Sequence, residues 1–564
     1  MSVLRNYFFK ITIIIFAVFI SGIVWYSPFL FKGYSPDAIN DQLVLARNMT
    51  VSGKYSLYND HGVLLASDMI AEKGEVSSIG NKFTAVLYSK VINFFGWQDT
   101  GGFLLISIIL NALALLVFSF TALRLFGAKT ALVFIFIYAL LPTNWRTVYA
   151  LGNYEFSLFF LSFFFLFFLL GRDKKYSYVY FIFAGTFLSG AVLAKEAFLM
   201  ILPILFAHLF LKKKFKMLIY IFAPVVIIMS IFYLPSFLGG NNIYKSQLLT
   251  KVLDKQYDFS LAGHLYPDYY TFRFGREEFL KQYEQIEKGE NGIIKSLNIK
   301  KAAANVGVKN IGLFERVIVG IHLFIAHVAR FFSLEDIGGP FIFLLGFLGT
   351  VYLKKKDLFL QRFLIWWIGG SVLLFSFVAI AGRNHLVDFG WAIALLVALG
   401  VGYIFEMIGR NFDLIGRKKM IMGVLATIVL VYGLLVTDHV AWGRAYDGAT
   451  LKTYAYADAI REKNIASQGV VATGIRHDEN LTLNFLVDRS LVVFRPETME
   501  KILAQGKGKE VFQEFNIKYI LGYPDDLSQR IAKITGADII ATDKISYKFT
   551  ESSPAKSLLM NLIR

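Results

Sequence analysis

The residues able to do chemistry stand at the borders of apolar runs. Asp37 and Asp41, in Tyr34-Ser-Pro-Asp-Ala-Ile-Asn-Asp, are four apart and share one face of a helix. Ser35 suits the N-cap, Pro36 the first helical position and Gly53 a left-handed stop, so the pattern predicts a polar helix over 36 to about 51, with Ile39, Leu43, Ala46 and Thr50 on one stripe. On spacing alone the two acids are first-turn carboxylates attracted by the helix dipole. Glu155 stands at the end of an apolar span, where an acid is costly unless it faces a cavity or a partner. It is therefore a functional-site candidate, with an ion pair to Arg146 as the plain alternative. Lys195, flanked by apolar residues, is either an anion contact or the partner of Glu196. The turn Ala381-Gly-Arg-Asn-His-Leu-Val-Asp holds Arg383, His385 and Asp388; Arg383 is a phosphate contact or a snorkelling cation. His322 and His327 are five apart and do not share a face as i and i+4 would, so no metal pair is expected there.

These residues need elements to position them, and composition says which. With 56% hydrophobic and 16% aromatic residues among 564, and a mean hydropathy of +0.54, the chain is too apolar for a soluble protein of this size. The expected class is a polytopic α-helical membrane protein. A net charge of +17 does not signal nucleic acid, because Lys and Arg cluster in short loops between apolar runs instead of forming one stripe. The absence of cysteine excludes disulfides, thiolate metal sites and a cysteine nucleophile. No small-residue cleavage site follows the run at 8–30, which reads as a retained first span.

Apolar runs at 8–30, 101–124, 127–143, 154–171, 177–194, 197–211, 216–235, 339–353, 359–380, 390–409 and 419–437 predict about eleven spans. Alternating them puts the basic clusters at Arg5 and Lys10, Arg124 and Lys129, Arg172 to Lys175, Lys212 to Lys216, Lys354 to Lys356 and Arg410 to Lys419 on one side, which is then cytoplasmic. Larger regions at about 31–100 and 236–338, and all that follows 437, lie outside. Residues 82–95 form an amphipathic segment along the membrane, and 313–332 an interfacial or re-entrant helix. Beyond 438, helical stretches alternate with the β-like runs starting at Gly469, Leu491, Ile517 and Ala537, which predicts a small α/β domain without a nucleotide fingerprint.

The order of an apolar span, then Pro36-Asp-Ala, Leu43-Val-Leu-Ala-Arg-Asn and Gly53-Lys-Tyr-Ser-Leu, resembles the first external loop of GT-C glycosyltransferases. These are integral membrane enzymes that take sugars from polyprenyl-phosphate carriers. The branch it resembles most is that of the protein O-mannosyltransferases and the lipid A aminoarabinose transferase. An apolar surface helix, Phe95-Gly-Trp and a span ending Leu123-Arg-Leu-Phe-Gly continue the pattern.

The resemblance implies a GT-C-like transmembrane domain over 1–437, with external loops at about 31–100 and 236–338, and an extracytoplasmic α/β domain over 438–564. It implies transfer of a sugar from a polyprenyl-phosphate-linked donor to a glycan, lipid or protein acceptor, at the outer face of a bacterial or archaeal cytoplasmic membrane. Asp37 matches the catalytic acid. Asp41 is its helper, a second contact for a divalent cation (Mg or Mn), or a solvated acid. Glu155 matches a second acid. Lys195, here followed by Glu instead of the family's Arg-Pro, and Arg383, here without the usual Pro after it, match donor-phosphate contacts. Arg273, with Arg276, is a candidate for donor capture, and His385 for contact with sugar or acceptor.

Two rivals differ in where they put their key residues. A non-enzymatic envelope transporter or scaffold would place ionisable residues at mid-span, and a glycan polymerase or ligase of another membrane fold would place them in a large late loop. Here the acids gather at outer helix ends and in the first loop. Trp366-Trp367 is followed by Ile-Gly-Gly and not by the Asp of the oligosaccharyltransferase Trp-Trp-Asp pattern, so en bloc transfer to asparagine is not expected.

Overall fold

The computed structural model describes residues 2–32, 41–53, 63–65, 82–97, 100–149, 154–172, 177–238, 256–258, 308–310, 313–333, 337–377, 389–411, 448–463 and, with single-residue interruptions, 469–546. Asp37, Arg273, Arg383, His385 and the run expected at 419–437 lie outside these residues.

In chain order the helices are α1 (Ser2–Lys32), α2 (Asp41–Ser52), α3 (Lys82–Phe95), α4 (Thr100–Phe126), α5 (Ala128–Leu140), α6 (Pro142–Tyr149), α7 (Tyr154–Arg172), α8 (Ser177–Ala194), α9 (Ile201–Leu211), α10 (Phe215–Leu238), α11 (Leu313–Arg330), α12 (Pro340–Lys356), α13 (Leu358–Phe377), α14 (Gly390–Asn411), α15 (Gly448–Glu462), α16 (His477–Val487), α17 (Pro496–Ala504), α18 (Gly508–Glu514) and α19 (Asp525–Thr535). The strands are β1 (Val63–Leu65), β2 (Gln256–Asp258), β3 (Val308–Asn310), β4 (Val470–Thr473), β5 (Leu491–Val493), β6 (Ile517–Tyr523) and β7 (Asp538–Thr542). Two compact units result: Met1–Tyr34, Gly101–Val252 and Arg316–Ala445 in one, Ser35–Thr100, Leu253–Glu315 and Tyr446–Arg564 in the other.

The first unit is an integral membrane bundle. Among the described residues seven helices are long and apolar enough to cross a bilayer: Phe9–Tyr26, Gly102–Phe126, Tyr154–Arg172, Ser177–Ala194, Phe215–Tyr233, Leu358–Phe377 and Gly390–Met407. Helices α5, α9 and α12 are shorter, so the figure of eleven is not reached by these helices. Helix α11 is not one of the seven. It packs against the end of α13, where His327 Nδ1 lies 3.1 Å from Ser376 Oγ, and leaves Val317, Ile321 and Ile325 exposed.

The bundle has two distinct ends. At one, Ser107 Oγ donates to the Val148 carbonyl at 3.0 Å, and Phe331 stacks on Phe389 with ring centroids 6.0 Å apart. At the other, Arg172 pairs with Asp357 at 2.9 Å, just after Lys354, Lys355 and Lys356, and its guanidinium lies 4.7 Å from the Phe359 ring. Between them the core is aromatic: Trp367 stacks on Phe165 at 5.4 Å and Trp391 on Phe118 at 4.6 Å. Helices α12 and α14 cross so closely that a Cβ on Gly349 would lie 1.7 Å from the Leu396 carbonyl oxygen.

The second unit holds a five-stranded parallel sheet in the order β1-β5-β4-β6-β7. Its core gathers Val492, Phe494, Met499, Ile502, Phe512, Ile520, Leu527 and Ile531. Residues 35–100, attached to the transmembrane region in the sequence plan, cluster with this sheet instead, because β1 pairs with β5 and α2 packs on α3 and α16. Helix α2 is no half-polar stripe. Leu43, Val44, Leu45, Ala46, Arg47 and Asn48 are all buried, and Gly53 ends the helix at φ 67° as expected, its N–H on Met49 O at 3.1 Å.

Candidate active site

Two of the sequence candidates come together at one corner of the membrane unit. Helix α7 opens with Tyr154 and Glu155, and Glu155 is wholly buried where the positive end of the helix dipole favours a carboxylate. Lys195 breaks the chain between α8 and a short 3-10 turn over Glu196–Met200: its backbone is extended (φ −148°, ψ 110°) and its N–H caps Ala191 O at 2.9 Å. Its side chain, 4% exposed, places Nζ 3.3 Å from the centre of the Tyr154 ring. A desolvated contact of that kind is worth about 2 kcal/mol. A buried cation is thus held on the face of the residue next to a buried acid. Such a corner can balance the charge of a phosphate and a departing oxyanion.

The turn that carries Arg383 and His385 enters α14 beside α6. A Cβ on Gly390 would lie 2.8 Å from Thr143 Oγ1 and 3.0 Å from Asn144 Oδ1, so only glycine admits the approach. Five residues beyond the end of α6 the chain reaches Tyr154. Trp367 is a core residue at mid-helix and Trp366 is exposed, so this dipeptide forms no joint recognition feature.

Asp41 is the first residue of α2. Two turns on, Arg47 makes a site that sequence reasoning missed. It is wholly buried; Nη1 donates to the Asn484 carbonyl at 2.5 Å and Nη2 to Asn484 Oδ1 at 2.9 Å, while Nε and Nη2 both donate to Asn48 Oδ1, at 3.1 and 2.9 Å. The rings of Trp97 and Phe485 flank the guanidinium at 5.7 and 5.8 Å. The available signal was an arginine set directly after four apolar residues. Tyr154 was missed as well, its signal being an aromatic beside an acid at a helix start. Among the described residues no group of three or more His, Asp or Glu could hold a metal ion, and Asp37, the carboxylate named for that role, lies outside them.

No protein-family model matches the sequence, and no curated protein matches it. Solved structures do match in fold. The archaeal oligosaccharyltransferase AglB from Archaeoglobus fulgidus, in complex with an inhibitory peptide and a dolichol-phosphate, superposes with a TM-score of 0.57 at 14% identity, covering 91% of this chain and 69% of that one. The Archaeoglobus fulgidus oligosaccharyltransferase in complex with Zn and sulfate gives 0.51 at 15% identity, over 89% and 67%. ArnT from Cupriavidus metallidurans bound to undecaprenyl phosphate covers 93% and 89% at 11% identity, with a TM-score of 0.47, too distant to carry an argument. The chain is a polytopic membrane protein. Its fold is that of the GT-C superfamily, to which AglB belongs.

Proposed function

We propose that this protein is a membrane glycosyltransferase that moves a sugar from a polyprenyl-phosphate-linked donor to a hydroxyl-bearing glycan, lipid or protein acceptor outside the cytoplasmic membrane. The observation that carries the proposal is the buried Lys195 on Tyr154 beside buried Glu155, in a GT-C fold. A cation kept in an apolar setting is a receptor for an anion that arrives from the membrane.

In the proposed reaction Asp37 takes the proton of the acceptor hydroxyl as its oxygen attacks the anomeric carbon. The bond from that carbon to the phosphate oxygen breaks, and its electron pair leaves with the polyprenyl phosphate. Lys195 and Arg383 balance the charge that grows on the leaving group, Arg273 helps to capture the donor, and His385 contacts sugar or acceptor. Glu155 shapes the pocket. Asp41 assists Asp37, either directly or as the second holder of a Mg or Mn ion.

The test is transfer from an extracted polyprenyl-linked donor by Asp37→Asn and Lys195→Met. Loss of the base should lower the rate by about 10²–10⁴, and retained transfer by Asp37→Asn would refute it as base. A chelator arm separates the two roles of Asp41: loss of activity that added Mg or Mn restores marks a metal-holding pair.

A further inference from the structure

Arg47 is costly where it stands. A desolvated guanidinium loses several kcal/mol of hydration, and α2 is already buried through Leu43, Val44, Leu45 and Ala46, which would hold the helix without it. What the apolar residues cannot do is fix direction. Two arms of one planar fork engage two oxygens of one residue, the main-chain O and Oδ1 of Asn484, and Asn484 is itself fixed by donating Nδ2 to Arg489 O at 2.7 Å. The rings of Trp97 and Phe485 confine the same group from its flanks. A slip of α2 by a single residue would turn every side chain on it by about 100°, and this clamp forbids it.

We propose that Arg47 is a positioning residue: clamped by Asn484, it sets the rotation and register of α2 and thereby aims the Asp37–Asp41 segment that leads into that helix. The proposal rests on the assignment of Asp37 as base. It gives the C-terminal segment 477–487 a part in the reaction, since Asn484 is the anchor.

The test uses the full chain in detergent, with kcat and donor KM measured per folded molecule for Arg47→Met, Arg47→Lys, Asn484→Ala and the double variant Arg47→Met/Asn484→Ala. A misplacement of about 1 Å costs about 100-fold, so kcat of Arg47→Met should fall by that order while donor KM stays put. Arg47→Lys should not rescue, because one ammonium cannot span both oxygens. The double variant should be no slower than Arg47→Met, because Asn484 acts only through the arginine. Should Arg47→Met fail to fold, Asn484→Ala carries the test with a kcat loss of about tenfold.

A kcat within about threefold of wild type in the folded variant, a donor KM that rises while kcat holds, or full rescue by lysine would overturn the clamp. Asp37→Asn run alongside keeps the two ideas apart. If it transfers sugar normally the base assignment falls, whereas an inactive Asp37→Asn beside an active Arg47→Met removes the clamp alone.

Discussion

Replacing Gly349 by alanine probes the membrane unit at its tightest point. The new Cβ would fall 1.7 Å from the Leu396 carbonyl oxygen and 2.9 Å from the Gly400 nitrogen, both main-chain atoms that no rotamer change can move. Carbon–oxygen contacts settle near 3.3 Å, so α12 and α14 must part by about 1.5 Å along this face. A gap of roughly 0.5–1 Å already forfeits a quarter to a half of the dispersion attraction in each contact that crosses it. Overpacking costs about 1–3 kcal/mol where side chains can yield; with backbone facing backbone the upper figure applies. Alanine returns up to about 1 kcal/mol through helix propensity, which leaves a net loss of about 2 kcal/mol. Gly346→Ala is the control, since its Cβ would meet Val397 Cγ2 at an ordinary 3.7 Å and should leave stability level or slightly raised. Thermal unfolding in detergent, followed by circular dichroism and gel filtration, should separate the two variants by several degrees. Equal melting of both, or a Gly349→Ala protein as stable as wild type, would refute the backbone contact between these helices.

The aromatic seat of Lys195 makes a second prediction: Tyr154→Phe keeps the ring and should keep the donor KM, while Tyr154→Leu loses a contact of about 2 kcal/mol and should raise that KM by up to about 30-fold. Donor titration of the two variants side by side decides it, and equal values for both would detach the ring from the cation's role. In the sheet unit, burial pushes the Tyr523 hydroxyl well above its ordinary value of 10.0. The stability that goes with the neutral form is fully present below that value and is lost as pH rises above it toward the folded-state value. Tyr523→Phe should therefore unfold at higher alkaline pH than wild type. Near neutrality it should be level or more stable by up to about 1 kcal/mol, because the buried hydroxyl has no hydrogen-bond partner among the described residues. Melting temperatures between neutral and strongly alkaline pH check both statements.

Much of the architecture was legible from the sequence because it is written in local patterns. The runs at Gly469, Leu491, Ile517 and Ala537 became β4 to β7, and the boundaries of α3, α8 and α9 follow apolar periodicity and the charges that end it. Glu155 and Lys195 were marked by the cost of a charge beside an apolar span, which composition alone reveals, and both are buried. Pairing across hundreds of residues was not legible. Nothing near Val63 announces that β1 will lie along β5, and nothing near Arg47 names Asn484 as its acceptor. The stripe read on α2 failed for the same reason: a helix covered on several sides by distant segments has no solvent face for periodicity to record. Short helices such as α5 escaped the span count in the other direction, since an apolar run sets a segment's hydropathy but not where its helix stops.

The bond from Arg47 to Asn484 also carries a timetable. Its two ends are 437 residues apart, and at about 5–20 residues per second the ribosome needs roughly 20–90 s to deliver the second after the first. Through that interval the apolar sides of α2 and the edge of β1 have no covering segment. The newborn chain must be shielded until its last quarter emerges, and a truncation that removes residues beyond 476 would leave the opening loop without its fastening, however well the membrane helices had inserted.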